Sequence, residues 1–185
     1  MVERNRGILP FVIDPKIFLD GKTEALEVGE LQKAPDLKLL RWLPTLEIFT
    51  GMYLLDSKWY VVKAGDSGIS SRLLPQNAQV SMFSRPADEN EKQGEEAIPG
   101  VREFLNCSSF SKNFIVSSSG ITQYWSVDEA GKRALRGTLE AFTPRFEKAS
   151  ELNEYKDFLK KINAEYQLNP WSKLSDKKLQ ALLHR

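Results

Sequence analysis

The sequence predicts an α+β fold in which a mostly antiparallel sheet of about four to six strands precedes two or three C-terminal helices. Residues 1–125 contain short runs of β-branched and aromatic residues separated by turn residues, a pattern typical of strands. From residue 126 onward, apolar residues recur at spacings of three and four, which indicates helices. We expect residues 126–185 to form a helical region that packs on the sheet, so that the chain is one domain.

The N-terminal part of the chain predicts edge elements and a short helix. In residues 7–20, two apolar runs are separated by an Asp-Pro pair, and proline is confined to the edges and turns of sheets. Residues 22–34 are largely charged and predict a loop or a short surface helix. Leucines at helical spacing in residues 35–43 predict a short helix.

The densest run of strand-forming residues lies at residues 45–68 and predicts a central hairpin. Its two strands, residues 46–55 and 59–64, flank an Asp-Ser-Lys turn. Further strands are predicted at residues 79–84, 114–116 and 121–125. The connections look too short for the crossovers that parallel pairing requires, which is why we expect antiparallel strands.

An acidic segment at residues 87–100 separates the predicted strands. Five acidic residues lie within nine positions, and the segment offers almost nothing to bury. It predicts a mobile loop.

The helical region opens with a capping box. Ser126 and Glu129 match this motif, which predicts a helix over residues 127–142. A second helix is predicted to begin at Thr143 and Pro144. Its apolar seam consists of Leu152, Tyr155, Leu159, Ile162 and Tyr166. A final short helix is predicted over residues 175–183.

The scarcity of cysteine and histidine limits the chemistry that we expect. The chain has one cysteine, Cys107, and one histidine, His184. Cysteine nucleophiles, serine triads and many metal sites depend on an imidazole held in a packed scaffold. We therefore lean toward a protein that is not an enzyme and that needs no cofactor.

The hydropathy pattern predicts no association with membranes. No apolar run approaches the roughly 18 to 20 residues that a membrane span requires. The apolar run near the N-terminus is short, interrupted by Pro10 and ended by Asp14, which is unlike a signal peptide. We expect a cytoplasmic protein.

The most specific enzymatic pattern consists of Asp36, Asp56 and Lys58. At five positions the chain is similar to the motif of the PD-(D/E)xK nuclease family. In that family two carboxylates hold a divalent metal and a lysine helps to activate water. The resemblance implies a Mg²⁺ site, with a further acid from Glu24, Glu27 or Glu30. The alternative is local, with Asp36 beginning a helix, Asp56 forming a turn and Lys58 solvated.

The C-terminal third is the basic part of the chain, with 12 basic and 7 acidic residues over positions 132–185. We predict a non-enzymatic binding or accessory subunit of a cytosolic complex, which docks a protein partner through this helical region. The predicted aromatic anchors are Tyr155, Tyr166 and Trp171.

Nucleic-acid binding through the same region is the main alternative, because lysines can neutralise phosphates. The residues concerned are Lys156, Lys160, Lys161, Lys173, Lys177, Lys178 and Arg185, with Lys132, Arg133 and Arg136 as an extension. Acidic residues alternate with these lysines, so a solvated helical surface is the competing interpretation.

Overall fold

The structure is a computed structural model, and it describes residues 8–15, 19, 27–63, 74–75, 77–87, 95–100, 103–104, 112–125, 133 and 149–184. One sheet contains eight strands: β1 (Ile8–Ile13), β2 (Glu27–Leu31), β3 (Thr50–Leu55), β4 (Lys58–Lys63), β5 (Val80–Ser84), β6 (Lys112–Ser117), β7 (Gly120–Tyr124) and β8 (Tyr166–Pro170). The described helices are α1 (Leu37–Trp42), α2 (Ala149–Lys161) and α3 (Asp176–His184), with 3-10 turns at Leu43–Thr45, Glu95–Ala97 and Trp171–Lys173.

The sheet is mixed, with the strand order β1-β2-β4-β3-β5-β6-β7-β8. The pairs β1–β2 and β5–β6 are parallel, and the other neighbours are antiparallel. The expected mostly antiparallel sheet of four to six strands is therefore corrected to a mixed sheet of eight. The error lay in the connections, because residues 85–111 between β5 and β6 are long enough for a parallel crossover.

The central hairpin joins β3 to β4 through a two-residue turn. Asp56 and Ser57 have φ values of 50° and 66°. Positive φ at both central residues is the geometry of the type I′ turn, whose twist matches that of the flanking strands. The sequence predicts that the first strand begins at residue 46, but the strand begins at Thr50.

Alternate residues of the strands are buried on opposite faces of the sheet. Phe114 and Val116 of β6 belong to the apolar cluster that contains α1 and α3 residues, whereas Ile115 belongs to the cluster that contains α2 residues. Because successive side chains of a strand point to opposite faces, α1 and α3 cover one face, and α2 packs on the other face over β6, β7 and β8. Over β3 and β4 that second face packs against Leu74 and Ala78. We call these faces the α1/α3 side and the α2 side.

The chain after α2 returns to the sheet as a strand. Asn163 has a φ of 56°, and the amide of Ala164 donates a hydrogen bond to the carbonyl of Leu159. A residue in the left-handed region commonly ends a helix in this way. Tyr166, predicted on the helical seam, therefore lies in β8, opposite Tyr124 of β7. The predicted helix at 127–142 falls almost wholly outside the described residues.

The end of the acidic segment is packed into the protein. Residues 96–100 are all buried, so the expectation that residues 87–100 have nothing to bury is wrong for this part. The guanidinium of Arg85 donates to the carbonyl oxygens of Glu96 and Ile98 at 3.1 and 2.8 Å, and it also pairs with Glu103. These contacts join residues distant in sequence, which is why local polarity did not predict them.

Candidate functional site

Helices α1 and α3 contact each other through polar groups at the start of each helix. The amide of Leu37 donates to a carboxylate oxygen of Asp176 at 3.2 Å, and the amide of Leu39 donates to that of Asp36 at 2.8 Å. The side-chain amide of Gln180 donates to the carbonyl of Pro35 at 3.3 Å. Two carboxylates, one from each helix, thus satisfy amides at the N-terminus of α1, where intrahelical acceptors are missing.

The outer side of this helix pair carries an excess of positive charge. Leu179 and Leu183 face inward and are buried, which leaves the lysines of α3 in solvent. We define the cationic surface as the exposed residues Lys38, Arg41, Lys173, Lys177 and Lys178. Within α1, the 3-10 turn Trp171–Lys173 and α3, all of which the structure describes, the only carboxylate is that of Asp176. Asp36 immediately precedes α1 and adds a second carboxylate. Both of those accept amide hydrogen bonds, so their oxygens are partly engaged.

Trp171 lies beside the cationic surface and is held by the protein itself. Its indole Nε1 donates to the carbonyl of Ser117 at 3.1 Å, and the Arg41 guanidinium lies 5.8 Å from the ring centroid. A guanidinium at this distance interacts favourably with the electron-rich ring face. The predicted partner anchor is therefore half-buried, with one ring face already in contact with a cation.

The other two predicted anchors lie on the α2 side. Tyr155 is 1% exposed, and its hydroxyl donates to the carbonyl of Pro99 at 2.8 Å. Burial, and next the carboxylate of Glu103, raise the pKa of the Tyr155 phenol. Tyr166 is half-buried in β8, and burial raises its pKa as well. The structure therefore separates these two tyrosines from Trp171 and uses Tyr155 inside the core.

The lysines predicted for nucleic-acid binding are divided between the two sides of the sheet. Lys156, Lys160 and Lys161 are exposed on α2, where the acids Glu154 and Asp157 are also exposed, and the exposed Glu165 follows the helix. Lys173, Lys177 and Lys178 belong to the α1/α3 side. Arg133 is exposed, while Lys132, Arg136 and Arg185 lie outside the described residues.

Each residue of the nuclease-like pattern has its own place in the fold. Asp36 caps α1 and lies 3.9 Å from the Lys33 ammonium, and Asp56 forms the turn between β3 and β4. The Lys58 ammonium lies 3.9 Å from a carboxylate oxygen of Glu30. In the part of the chain that the structure describes, no three His, Cys, Asp or Glu side chains are grouped as a metal site would need.

An open groove of about 580 Å³ lies beneath the C-terminal end of α3. Its described lining consists of Ala34, Leu54, Ser57, Trp59, Gln79, Val80, Lys112, Leu183 and His184. No spacing along the chain predicts this groove, because its lining residues come from five separate segments. The one partial signal is Trp59, a large aromatic residue in the densest strand run.

No protein-family model matches this chain, and no curated protein sequence or solved structure is significantly similar to it. Among the described residues, the helices are too short or too polar to cross a bilayer. The functional interpretation therefore depends on the geometry and charge of the molecule itself.

Proposed function

We propose that this protein is a non-enzymatic binding subunit that docks an acidic surface of a protein partner on its cationic surface. The supporting observation is the charge of the α1/α3 side, where α1, α3 and the 3-10 turn Trp171–Lys173 carry five exposed cations and Arg41 lies over the Trp171 ring. Exposed charges of one sign steer an oppositely charged partner and set the orientation in which it binds. The proposal keeps the C-terminal helix as the docking element and moves the partner site to the face it shares with α1.

Arg41 and Trp171 form the centre of the proposed interface. Arginine and tryptophan are the residue types that most often dominate binding energy, and this pair is held in place before a partner arrives. The four lysines of the cationic surface form its polar rim, which contributes more to association rate than to affinity. We therefore expect binding to weaken as salt concentration rises.

A protein partner fits this surface better than a nucleic acid does. Proteins that bind single strands stack bases on exposed aromatic rings, but Trp171 is half-buried and Arg41 lies over its ring. The α2 lysines are on the opposite side of the sheet and alternate with acids, so they add little to a continuous phosphate-binding track.

The test compares two matched charge reversals. Lys177→Glu/Lys178→Glu alters the cationic surface, and Lys156→Glu/Lys160→Glu places the same charge change on α2. The α3 substitutions lie in the first turn, where acidic side chains favour the helix dipole, so we expect the variant to fold. Circular dichroism and thermal melting would check both variants.

Each immobilised protein would be exposed to a cell extract, and retained proteins would be quantified by mass spectrometry. We expect a partner with an acidic surface to be retained by the wild type and the α2 variant, and lost from the α3 variant. Equal retention by all three proteins would contradict the proposal.

The same three proteins would be titrated with single- and double-stranded DNA and RNA, with and without magnesium. Salt-sensitive binding that is lost only in the α3 variant would favour the nucleic-acid alternative in place of a protein partner. Magnesium-dependent cleavage would favour the nuclease alternative, which Asp36→Asn and Asp56→Asn would then have to abolish.

A further inference from the structure

The strand β8 forms one end of the sheet. Among the residues that the structure describes, it pairs only with β7. Its residues from Tyr166 to Pro170 all pair with β7 in one continuous register. The opposite end of the sheet is less regular, because the register of β1 with β2 shifts between Ile8 and Val12. An irregular edge discourages pairing with a further strand, and β8 lacks this protection.

The ladder between β7 and β8 extends one residue beyond each end of β8. The Trp125 amide donates to the carbonyl of Glu165 at 3.0 Å, and the Trp171 amide donates to the carbonyl of Ser119 at 3.4 Å. Alternate residues of an antiparallel strand direct both of their backbone groups to the same neighbour. The odd-numbered positions from 165 to 171 therefore bond to β7, and the even-numbered positions direct their backbone groups to the outer edge.

The outer edge of β8 thus consists of the backbone groups of Tyr166, Leu168 and Pro170. Tyr166 and Leu168 each direct an N–H and a C=O there. Pro170 offers a C=O alone, because proline has no N–H. A row of such groups at the edge of a sheet is a template for a further strand.

The side chains of β8 carry no charge that would oppose such pairing. Its five residues are Tyr-Gln-Leu-Asn-Pro. Proteins commonly protect an edge strand with charged residues, lysine above all. In a two-fold symmetric pair of strands, a charge at the centre would face its own copy. The neutral sequence of β8 avoids that repulsion.

We propose that β8 pairs with β8 of a second copy of this chain, in an antiparallel arrangement centred on Leu168. In this register Leu168 lies opposite Leu168 of the second copy, and Tyr166 lies opposite Pro170 of the second copy. The two Leu168 residues exchange both backbone bonds, and each Tyr166 N–H donates to a Pro170 carbonyl, which gives about four hydrogen bonds. Leu168 is half-buried, so contact between the two leucines removes further apolar surface from water.

Charge complementarity favours a second copy over an unrelated strand. Glu165 would lie opposite Trp171 of the second copy. The side chain of Glu165 is on the α1/α3 side, because that of its neighbour Tyr166 is in the α2 cluster. In each copy, Arg41 lies over the Trp171 ring on that same side. The symmetric pair therefore brings each Glu165 carboxylate toward the Arg41 guanidinium of the other copy, and it does so twice.

The pairing would join the two sheets with both cationic surfaces on the same face. Residues that lie opposite one another in neighbouring strands share a face, so the α1/α3 sides of the two copies are continuous. A partner with two acidic regions would then bind both surfaces with a higher apparent affinity than one surface provides. The pairing of β8 does not depend on the partner docking proposed above, and it is tested on the protein alone.

The experiment measures self-association and amide exchange of the wild-type protein. Sedimentation equilibrium gives the mass between about 50 μM and about 1 mM, and ¹H–¹⁵N NMR gives the exchange rate of each amide with water. A single pair of strands forms a small interface, so we expect a dissociation constant of about 100 μM. The unpaired fraction then falls from about 60% to about 20% over this range.

The amides of β8 should respond in alternation. Exchange at Tyr166 and Leu168 should slow about threefold between the two concentrations, because these amides are bonded only in the pair. The amides of Gln167 and Asn169 bond to β7 in both states, so their exchange rates should stay constant. This comparison on the wild-type protein requires no variant to fold.

Three results would overturn the proposal. The first is a chain that stays monomeric at about 1 mM. The second is self-association that leaves exchange at Tyr166 and Leu168 unchanged, which would place the interface elsewhere. The third is slow exchange of both amides at every concentration, because the edge would then be covered within one copy.

Matched variants test the centre of the pair. Leu168→Lys places two ammonium groups opposite each other, and we expect it to raise the dissociation constant at least about tenfold. Leu152→Lys makes the same change at a half-buried leucine of α2 and should leave the constant unchanged. Lys177→Glu/Lys178→Glu should also dimerise as the wild type does, so failure of β8 pairing is distinguishable from failure of partner docking. Circular dichroism would check each fold. Equal dimerisation by folded Leu168→Lys and Leu152→Lys would contradict the proposed register.

Discussion

The two sides of the sheet use the same types of residue in different ways. On the α2 side, Tyr155 is buried, and the exposed lysines of α2 lie among acidic residues. On the α1/α3 side, Trp171 lies beside a surface of exposed cations. Lysines and aromatic residues occur along the whole C-terminal third, so composition alone treats the two regions as equivalent. Position relative to the sheet is what separates the buried aromatic residue of one side from the half-buried one of the other side, for which we propose a binding role.

The α2 side concentrates internal polar contacts. Arg85 holds the segment around residues 96–98, and Tyr155 reaches the carbonyl of Pro99. The carboxylate of Glu96 accepts hydrogen bonds from the hydroxyls of Ser118 and Ser119. Buried polar groups that are satisfied in this way favour one arrangement of the chain, and they leave few groups for a partner.

The largest expected effect comes from Gly120→Ala, which should disturb both sides together. Gly120 has a φ of 151°, and an added Cβ would lie 2.2 Å from the carbonyl oxygen of Asn169 in β8. Strand β8 carries Tyr166 into the α2 side and leads into Trp171 on the other side. We expect a loss of about 4 kcal/mol in the free energy of unfolding, measured by urea denaturation. If the variant had wild-type stability, β8 would have to move away from the added methyl group at no cost in free energy.

Tyr155→Ala should affect the α2 side alone. Removing a buried aromatic side chain leaves a cavity and costs about 3 to 4 kcal/mol. Tyr155→Phe keeps the ring and loses only the bond to Pro99, for about 1 kcal/mol. Urea denaturation measures both changes, and partner binding by folded Tyr155→Phe should equal that of the wild type. Weakened binding in that variant would mean that the two sides are coupled.

Alkaline pH should destabilise the protein, with Tyr155 on the α2 side as a main contributor. Its pKa is raised above the ordinary value of about 10, mainly by burial. Above that pH the unfolded chain loses the proton first, so the folded state binds more protons and the free energy of unfolding falls as pH rises. Urea titrations between about pH 9 and 11 should show a shallower fall for Tyr155→Phe. An unchanged slope would assign the effect to Tyr53 and Tyr166, whose pKa values are also raised.

The smallest effects should be gains in stability, one on each side. Thr50 on the α1/α3 side and Thr122 on the α2 side have buried hydroxyls that find no hydrogen-bond partner in the described structure. Valine has nearly the same shape, so Thr50→Val and Thr122→Val should each raise the free energy of unfolding by about 1 kcal/mol. Thermal melting measures the gain. A loss in either variant would indicate an internal water bound to that hydroxyl.

The elements that could be predicted from the sequence are those that form through interactions between residues close together in the chain. The hairpin of β3 and β4 follows from strand-forming residues around a polar turn, and its positive φ values are confined to that turn. The amphipathic spacing of Leu179 and Leu183 predicted α3, and both leucines are buried. For the proposed cationic surface, the sequence indicated the lysines of α3 but not their association with Arg41.

Long-range pairing decided the rest. The parallel pair β5–β6, the strand β8 and the burial of residues 96–100 all depend on segments that meet only in the folded chain. Four residues that line the groove, Trp59, Leu54, Val80 and Lys112, lie opposite one another on four neighbouring strands, a register that no spacing along the sequence encodes. The sequence by itself thus determined where the central hairpin and the final helix form, because hydrophobic period and turn chemistry act over a few residues. Which side of the sheet each helix covers, and therefore which lysines share a surface, was decided by tertiary packing, because burial of an apolar face depends on what lies opposite it.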